Sequence, residues 1–391
     1  MPMNDYTYDF TYSMPATIEY GIHSSKKLPT LIADLKGSKV LLVTDTGIVK
    51  AGLVANITSI LDEAKIPYVL FAEIKAEPDA EEVMNGKEMF LKEKCDIVVA
   101  LGGGSSLDAA KSISVMVKND GHIRDYRGLN VLPNPGVPYI AIPTTAGTGA
   151  ETTIWAVISE KDRNDKYGVG SKYLVPTISL LDPTLSVGLP QKVTAMSGID
   201  ALAHALESYI NKATQPISEA LSERAISMIA QNLKEATFSG TVLSARANML
   251  LASTMAAMAF NPTRLGAAHA LAMPLGALAH IPHSEAVAVI FPAVLRFNCV
   301  GNYKKFARLA ELFGEDISGL SLKDAAELGC EVVIEFLYDL GCPTSLASYG
   351  VKEDQLREIA ESGYKSGMGN LIQNPKLTTL DDLEQILRDS L

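Results

Sequence analysis

The stretch CDIVVALGGGSSLDAAK (95–111) passes from a continuous apolar run into three glycines and then into a helical pattern. An unbroken apolar run of this length predicts a strand that is buried on both faces. Comparable runs occur in KVLLVTD (39–45), IPYVLFAEI (66–74), PYIAIPTTAGTGAE (138–151) and TISLLDPTLSVGLP (177–190). Helical patterns separate the three runs that come first in the chain, at 39–45, 66–74 and 95–104. We therefore predict a doubly wound parallel α/β domain.

The character of the chain changes after Pro190. Long alanine-rich stretches with a 3.6-residue apolar period follow, and strand patterns nearly vanish. We therefore predict an α/β domain over residues 1–190 and an all-helical domain over residues 191–391, with the active site in a cleft between them.

Composition excludes several classes of function. The 391 residues carry a formal net charge of -11, which argues against a nucleic-acid or anionic-membrane surface. The N-terminus lacks the pattern of a signal peptide, and the uncharged run Leu265–Ser284 contains histidines and prolines and is expected to be buried in the protein. The four cysteines show no CxxC spacing, so we expect neither disulfides nor structural zinc, and we expect a cytoplasmic location.

The glycines of GGGSSLDAAK (102–111) would let a phosphate approach the backbone and meet the N–H groups that begin a helix. A plain strand-to-helix turn, capped by Ser105 or Ser106, is the alternative. A second loop, PTTAGTGAE (143–151), could close over the same pyrophosphate. Asp45, at the end of KVLLVTD, could bind a ribose and favour NAD over NADP, or it could simply cap a helix.

A set of metal ligands is the second candidate feature. Asp200 and His204 are four residues apart on one helical face that is otherwise alanine and leucine. His269 and His283, within HALAMPLGALAHIPH (269–283), complete an acid and three histidines in apolar surroundings. This set suits Fe(II), Zn(II) or Mn(II), although each histidine alone is more often a core or cap residue. His280 is the spare histidine, and we expect it to line the cleft or to support the metal ligands from outside.

A dinucleotide site and a metal facing one cleft predict hydride transfer between a nicotinamide and a small alcohol or aldehyde. The metal would polarise the carbonyl oxygen as a Lewis acid, without changing its valence.

Five motifs, GGGSSLDAAK, PTTAGTGAE, LDPTLSVGLP, GIDALAHALESY and HALAMPLGALAHIPH, resemble in order and spacing those of the iron-containing (group III) alcohol dehydrogenases. That family includes lactaldehyde reductases and 1,3-propanediol dehydrogenases. The resemblance implies a dehydroquinate synthase-like fold: an N-terminal dinucleotide-binding domain and a helical metal- and substrate-binding domain. It also implies Fe(II) as the foremost metal and a homodimer that shares the N-terminal segment 10–21.

By motif match, the resemblance implies that the metal ligands are Asp200, His204, His269 and His283. It implies cofactor contacts at Asp45, Gly102, Gly103, Gly104, Ser105, Asp108, Thr144, Thr145, Thr148, Lys166 and Leu185. Lys166 is expected in the loop after the second glycine motif.

The chain departs from the family pattern at three places that we predict to shape the substrate pocket. Met273 replaces the second histidine of HALAH and cannot transfer a proton; it could instead be a flexible filler of the pocket wall. Arg264 stands where relatives carry a small residue and could bind an anionic substrate, or it could face water if one helix continued to His269. Trp155, the one tryptophan, follows the second glycine loop.

We therefore predict an NADH- and metal-dependent reductase of short aldehydes, working reversibly as an alcohol dehydrogenase. A small anionic aldehyde such as sulfoacetaldehyde or succinic semialdehyde is the favoured substrate. The alternatives are a neutral diol or lactaldehyde-type substrate, and a non-catalytic NAD-binding assembly protein.

Overall fold

The structure is a computed structural model that describes residues 9–14, 16–75, 77–160 and 165–391. By internal contacts the chain separates into two compact units. An α/β unit comprises Met14–Leu189 and Gly240–Leu250, and a helical unit includes Pro190–Ser239 and Leu251–Leu391. The segment Gly240–Leu250 thus groups with the α/β unit, although it follows residue 190 in the chain.

Within its described residues the α/β unit contains nine strands, five complete α-helices and the first part of a sixth. The strands are β1 (Thr17–Tyr20), β2 (Val40–Asp45), β3 (Tyr68–Ile74), β4 (Ile97–Gly102), β5 (Gly128–Leu129), β6 (Tyr139–Pro143), β7 (Trp155–Glu160), β8 (Asp165–Gly170) and β9 (Ile178–Leu181). The helices are α1 (Leu28–Asp34), α2 (Thr46–Lys50), α3 (Leu53–Glu63), α4 (Ala80–Lys92) and α5 (Gly104–Met116).

Six strands form one parallel sheet in the order β1-β9-β6-β4-β2-β3. The central strand β4 is buried along its whole length, and its side chains alternate between two apolar clusters. Val98 and Ala100 pack into one cluster, whereas Val99 and Leu101 pack into the other. Because each face of the sheet has its own apolar layer, a strand such as IVVALG needs apolar residues at every position. This confirms the predicted parallel α/β fold.

A second, three-stranded sheet was not predicted from the sequence. Its order is β5-β8-β7, and β7 and β8 are antiparallel neighbours. Trp155 is paired directly with Gly170, and a Cβ on Gly170 would lie 2.5 Å from the indole ring. The aromatic ring therefore covers the backbone of the glycine-rich strand and compensates for its missing side chain.

The helices after Pro190 confirm the predicted all-helical region. They are α6 (Gln191–Ile210), α7 (Pro216–Phe238), α8 (Leu243–Thr263), α9 (Ala267–Ala279), α10 (His283–Cys299), α11 (Tyr303–Leu312), α12 (Leu322–Asp339), α13 (Leu356–Ser366), α14 (Met368–Leu371) and α15 (Leu380–Asp389). Among the described residues, no helix combines the length and apolar character that a membrane span requires.

Candidate functional site

The glycine loop after β4 lies directly against the second glycine loop. Gly103 precedes α5, and that helix begins without a side-chain cap. A Cβ on Gly103 would lie 3.3 Å from Thr145, and a Cβ on Gly104 would lie 2.7 Å from Thr148. The two loops therefore approach so closely that the first has no room for side chains, and the helix N-terminus keeps backbone N–H groups that attract a phosphate.

Asp45 lies beside the same loop and also caps a helix. One carboxylate oxygen accepts hydrogen bonds from the backbone N–H groups of Gly47 (2.8 Å) and Ile48 (3.0 Å) at the start of α2. The other accepts a hydrogen bond from the Ser106 hydroxyl at 2.6 Å. Gly102 has a φ of 155°, and a Cβ there would lie 3.3 Å from Asp45 Oδ2. The capping role is thus present, and the ribose contact stays a prediction.

The buried Lys111 and the half-buried Asp108 form an ion pair on α5. The Asp108 carboxylate accepts the backbone N–H of Val157 at 2.9 Å and lies 3.4 Å from Lys111 Nζ. Lys111 is 1% exposed, and its ammonium donates to the carbonyl oxygens of Ala150 and Trp155 at 2.8 and 2.7 Å. Burial lowers the pKa of Lys111, although Asp108 opposes this, and burial raises the pKa of Asp108. The pair ties α5 to the chain that follows the second glycine loop.

The sequence reading missed Lys111, although it is quoted in the motif, because a lysine suggests an exposed position. Its spacing was an available signal: Asp108 and Lys111 are three residues apart and so share a helical face with buried alanines. The carboxylate of Asp108 is used within the protein, and its predicted cofactor contact stays a prediction.

Four further residues predicted to contact the cofactor lie in different parts of the α/β unit. Lys166 lies in β8, so the loop expected there is wrong, and its ammonium pairs with Glu77 at 2.7 Å. Thr144 is fully buried, and its backbone N–H donates to the Gly102 carbonyl oxygen at 2.9 Å. Leu185 packs into the apolar core. Ser105 lies in the first turn of α5.

The four predicted metal ligands lie together in the helical unit. Asp200 and His204 lie on α6, His269 lies on α9, and His283 begins α10. Asp200 Oδ1 is 3.5 Å from His269 Nε2, 3.8 Å from His283 Nε2 and 3.9 Å from His204 Nε2. The rings of His204 and His269 stack with centroids 4.5 Å apart.

The burial of this group carries a free-energy cost unless a cation is bound. Asp200 is fully buried, and neither of its oxygens nor His269 Nε2 has a hydrogen-bond partner among the described residues. An isolated buried carboxylate is strongly unfavourable, and neutral imidazoles with a carboxylate are the donors that Zn(II) and Fe(II) prefer. The donor set therefore fits a divalent metal.

The neighbouring charges shift the pKa values of Asp200 and His269. Burial raises the pKa of Asp200, but the nearby histidines outweigh burial and hold it below its ordinary value. Burial lowers the pKa of His269, but its contacts with Asp200 and Glu207 outweigh burial and raise that pKa to about 9.

Glu207 is a further residue of this site that the sequence reading missed. It is 1% exposed, and its carboxylate lies 2.6 Å from His269 Nδ1 and 2.7 Å from the backbone nitrogen of Ala268. Its position was a usable signal, since it follows Asp200 by two helical turns and His204 by three residues on the same face of α6.

Three of the predicted substrate-pocket residues, Arg264, Met273 and His280, lie on or beside α9. Arg264 lies between α8 and α9 with a φ of 63°, so the single continuous helix considered for it is wrong. Its guanidinium would lie 2.0 Å from a Cβ on Gly369 and therefore packs against α14. Met273 is half-buried on α9, and His280 ends α9 as an exposed residue with a φ of 55°. Their pocket roles, and that of Trp155, stay predictions.

Two family models match the chain. The model described as iron-containing alcohol dehydrogenase matches residues 15–183, and the model of the C-terminal region of the Fe-containing alcohol dehydrogenase family matches residues 194–391.

Relatives that match over nearly their whole length point to the same family. The chain is 39% identical to 1,3-propanediol dehydrogenase from Citrobacter freundii over 97% of this chain and 98% of the relative. It is 35% identical to sulfoacetaldehyde reductase from Bilophila wadsworthia over 97% of this chain and 98% of the relative. A solved structure of 1,3-propanediol oxidoreductase superposes with a TM-score of 0.95 at 38% identity, covering 98% of this chain and 100% of that one. The chain therefore belongs to the iron-containing alcohol dehydrogenases, oxidoreductases that use NAD(H) and a divalent metal.

Proposed function

We propose that this enzyme reduces a short-chain aldehyde to the primary alcohol with NADH and that it also runs in reverse. The observation that carries the proposal is the convergence of three imidazoles, those of His204, His269 and His283, on the buried carboxylate of Asp200. We propose these four as the ligands of the metal, with Fe(II) foremost and Zn(II) or Mn(II) as alternatives. Such a metal supplies Lewis-acid polarisation of the carbonyl oxygen when bound.

The α/β unit supplies the residues proposed to bind the cofactor. The glycines of residues 102–104 would present backbone N–H groups to the pyrophosphate. The Asp45 carboxylate would accept hydrogen bonds from the ribose and would repel a 2′-phosphate, which favours NAD over NADP. Met273 has no proton to donate, so the proton that the product alcohol gains would come from water or from a ribose hydroxyl.

The charge of the substrate is a finer proposal. Arg264 is the residue that could bind the anionic end of an aldehyde such as sulfoacetaldehyde or succinic semialdehyde by charge-assisted hydrogen bonds. The similarity to a sulfoacetaldehyde reductase supports this substrate class. A neutral aldehyde of the diol or lactaldehyde type is the second candidate. It is favoured by the packing of the guanidinium against Gly369, and by the similarity to 1,3-propanediol dehydrogenase.

The activity is tested with the metal-loaded protein, NADH and a panel of C2–C4 aldehydes. We expect turnover of at least one aldehyde. Asp200→Asn, which removes a proposed ligand, should lose more activity than the roughly 100-fold that disturbing an outer contact can cost. Binding of NADH without turnover across the panel, with metal content confirmed, would instead support a non-catalytic NAD-binding protein.

Substrate charge is tested with Arg264→Ala and Arg264→Lys. If Arg264 binds an anionic end, kcat/KM falls for acidic aldehydes and stays unchanged for neutral ones in the alanine variant, and lysine restores part of the loss. An equal change for both classes would leave the neutral substrate as the better proposal.

We also propose a homodimer that shares the segment 10–21. Within it β1 is an edge strand of the sheet, and Ile18 and Tyr20 are 36% and 41% exposed. An unpaired strand edge can accept a second chain. Light scattering of the purified protein tests this, and a monomeric mass would contradict it. The four buried, unpaired cysteines support a proposed cytoplasmic location.

A further inference from the structure

We propose that Glu207 is a positioning residue that fixes the tautomer of His269 and so presents Nε2 of that ring to the metal. The inference rests on the proposed metal site and adds a residue to it. Glu207 Oε2 lies 2.6 Å from His269 Nδ1, and Glu207 Oε1 accepts the backbone N–H of Ala268 at 2.7 Å. One buried side chain on α6 thus holds both the ring and the backbone of the next ligand helix.

The chemistry of the contact decides the tautomer. A carboxylate can only accept hydrogen bonds, so the ring nitrogen that faces it must carry the proton. With the proton on Nδ1, the lone pair of the neutral ring is on Nε2, which lies 3.5 Å from Asp200 Oδ1 and has no hydrogen-bond partner among the described residues. A histidine ligand oriented by a carboxylate on its other nitrogen is a more basic and better-aligned donor.

The surroundings of Glu207 keep its carboxylate in this one orientation. The helix α9 starts after Gly266, which has no side chain to cap it. Its first two backbone N–H groups donate to side chains from elsewhere in the fold. The N–H of Ala267 donates to Asn374 Oδ1 at 3.3 Å, and the N–H of Ala268 donates to Glu207. A Cβ on Gly266 would lie 2.8 Å from the oxygens of both residues, so each side chain lies tightly against the backbone at Gly266. A negative charge is also favourable at a helix N-terminus.

Two conservative variants separate positioning from simple packing. Glu207→Gln has the same shape, but its amide offers one acceptor and one donor. If the amide oxygen of Gln at position 207 accepts the backbone N–H of Ala268, the amide NH₂ faces His269 Nδ1. Nδ1 must then accept a hydrogen bond, so the ring proton moves to Nε2. Glu207→Asp is one methylene shorter, but it keeps a carboxylate that can face Nδ1. Positioning through the tautomer therefore predicts that the aspartate variant binds metal better than the glutamine variant, whereas a purely steric role predicts the opposite order.

The measurement is the dissociation constant for Zn²⁺, obtained by competition with a chromophoric chelator, together with the visible spectrum of the Co²⁺-loaded protein. For Glu207→Gln we expect Zn²⁺ affinity to fall by roughly 10- to 100-fold, the range measured for such outer contacts. The Co²⁺ spectrum should change, because the ligand field loses or distorts the His269 donor. NADH binding, measured by fluorescence, should be unchanged.

Asn374→Ala is the matched control, because it removes a cap of the same helix without touching His269. It should lower the free energy of unfolding and leave Zn²⁺ affinity near that of the wild type. Equal Zn²⁺ loss in Asn374→Ala and Glu207→Gln would assign the effect to helix capping and overturn the proposal. Wild-type affinity in a folded Glu207→Gln, or an aspartate variant weaker than the glutamine variant, would also overturn it. Failure of the proposed function is a different outcome, in which the wild-type protein itself binds no metal at this site.

Discussion

Met273 lies four residues after His269 on α9, so both side chains leave the same face of the helix. A thioether neither donates nor accepts a proton near neutral pH, whereas the family pattern predicts a histidine at this position. If position 273 lies beside the proposed metal site, its side chain here cannot take part in proton transfer.

Met273→His is expected to introduce an inflection in the pH profile of kcat near the ordinary histidine pKa of about 6.5. The reason is that the new imidazole would titrate one helical turn from His269. Steady-state kinetics between pH 5 and 9 measure it, with Met273→Leu as the control that keeps an apolar side chain. A histidine variant whose profile matches that of the leucine variant would show that position 273 takes no part in proton transfer.

Asp182 is a second residue whose charge matters, here for the stability of the α/β unit. Its carboxylate accepts hydrogen bonds from the Ser25 hydroxyl at 2.6 Å, from the His23 backbone N–H at 3.0 Å and from Thr184. Burial raises the pKa of Asp182, but these donors outweigh it and hold the pKa below its ordinary value. The ionised form is thus favoured by folding.

The sign of the pH effect follows from that depressed pKa. Asp182 contributes its full stabilisation above the unfolded-state pKa of about 3.9 and loses it as the pH falls through the lower pKa of the folded state. Asp182→Asn should lower the free energy of unfolding at pH 7 by about 2 kcal/mol, because an amide NH₂ would face other donors. Urea unfolding at pH 7 and at pH 3 measures this. Between pH 7 and pH 3 the variant should lose less free energy of unfolding than the wild type. An equal loss would contradict the stabilising role of the ionised Asp182 carboxylate.

Elements pack closely where glycine permits it, and the pair α11 and α12 is the clearest example. A Cβ on Gly329 would lie 1.9 Å from the carbonyl oxygen of Phe306, which is backbone and cannot turn away. The helices can approach this closely only because residue 329 has no side chain.

Gly329→Ala is expected to lower the free energy of unfolding by about 3 kcal/mol, although alanine is the better helix former, because the two helices must separate. Gly188→Ala is the control, since a Cβ there meets nothing within 4 Å. Urea denaturation followed by circular dichroism measures both variants. A stabilised Gly329→Ala would mean that the helices adjust without strain.

The elements also show where local patterns are informative. The strands of the parallel sheet are apolar at nearly every position, and this is visible in the sequence without knowledge of their neighbours. The segment DKYGVG (165–170) contains two glycines and is typical of a turn, yet it forms β8. The pairing with β5 on one side and with β7 on the other, where Trp155 lies over Gly170, makes a strand favourable there.

At the scale of the whole molecule, a metal bound at the proposed site would connect helices that are distant in the chain. The proposed ligands lie on α6, α9 and α10, so metal binding there would add to the stability of the fold of the helical unit. Metal at 100 times its dissociation constant should stabilise the folded state by about 2.7 kcal/mol.

Removal of the metal by a chelator should therefore lower the unfolding temperature seen by calorimetry, and re-addition should restore it. Asp200→Asn should show the lower temperature with or without chelator. If the wild type unfolds at the same temperature in both conditions, these residues do not hold a metal that stabilises the fold.

The sequence by itself determined the fold class and indicated the donor set that we propose for the metal. Both depend on local patterns: continuous apolar strands, and side chains four residues apart on one helical face. The tertiary structure alone decided the contacts of Glu207 with His269 and of Asn374 with Ala267, across separations of 62 and 107 residues. No local spacing encodes such pairs, because they form only when packing brings distant helices together and buried polar groups must then satisfy one another.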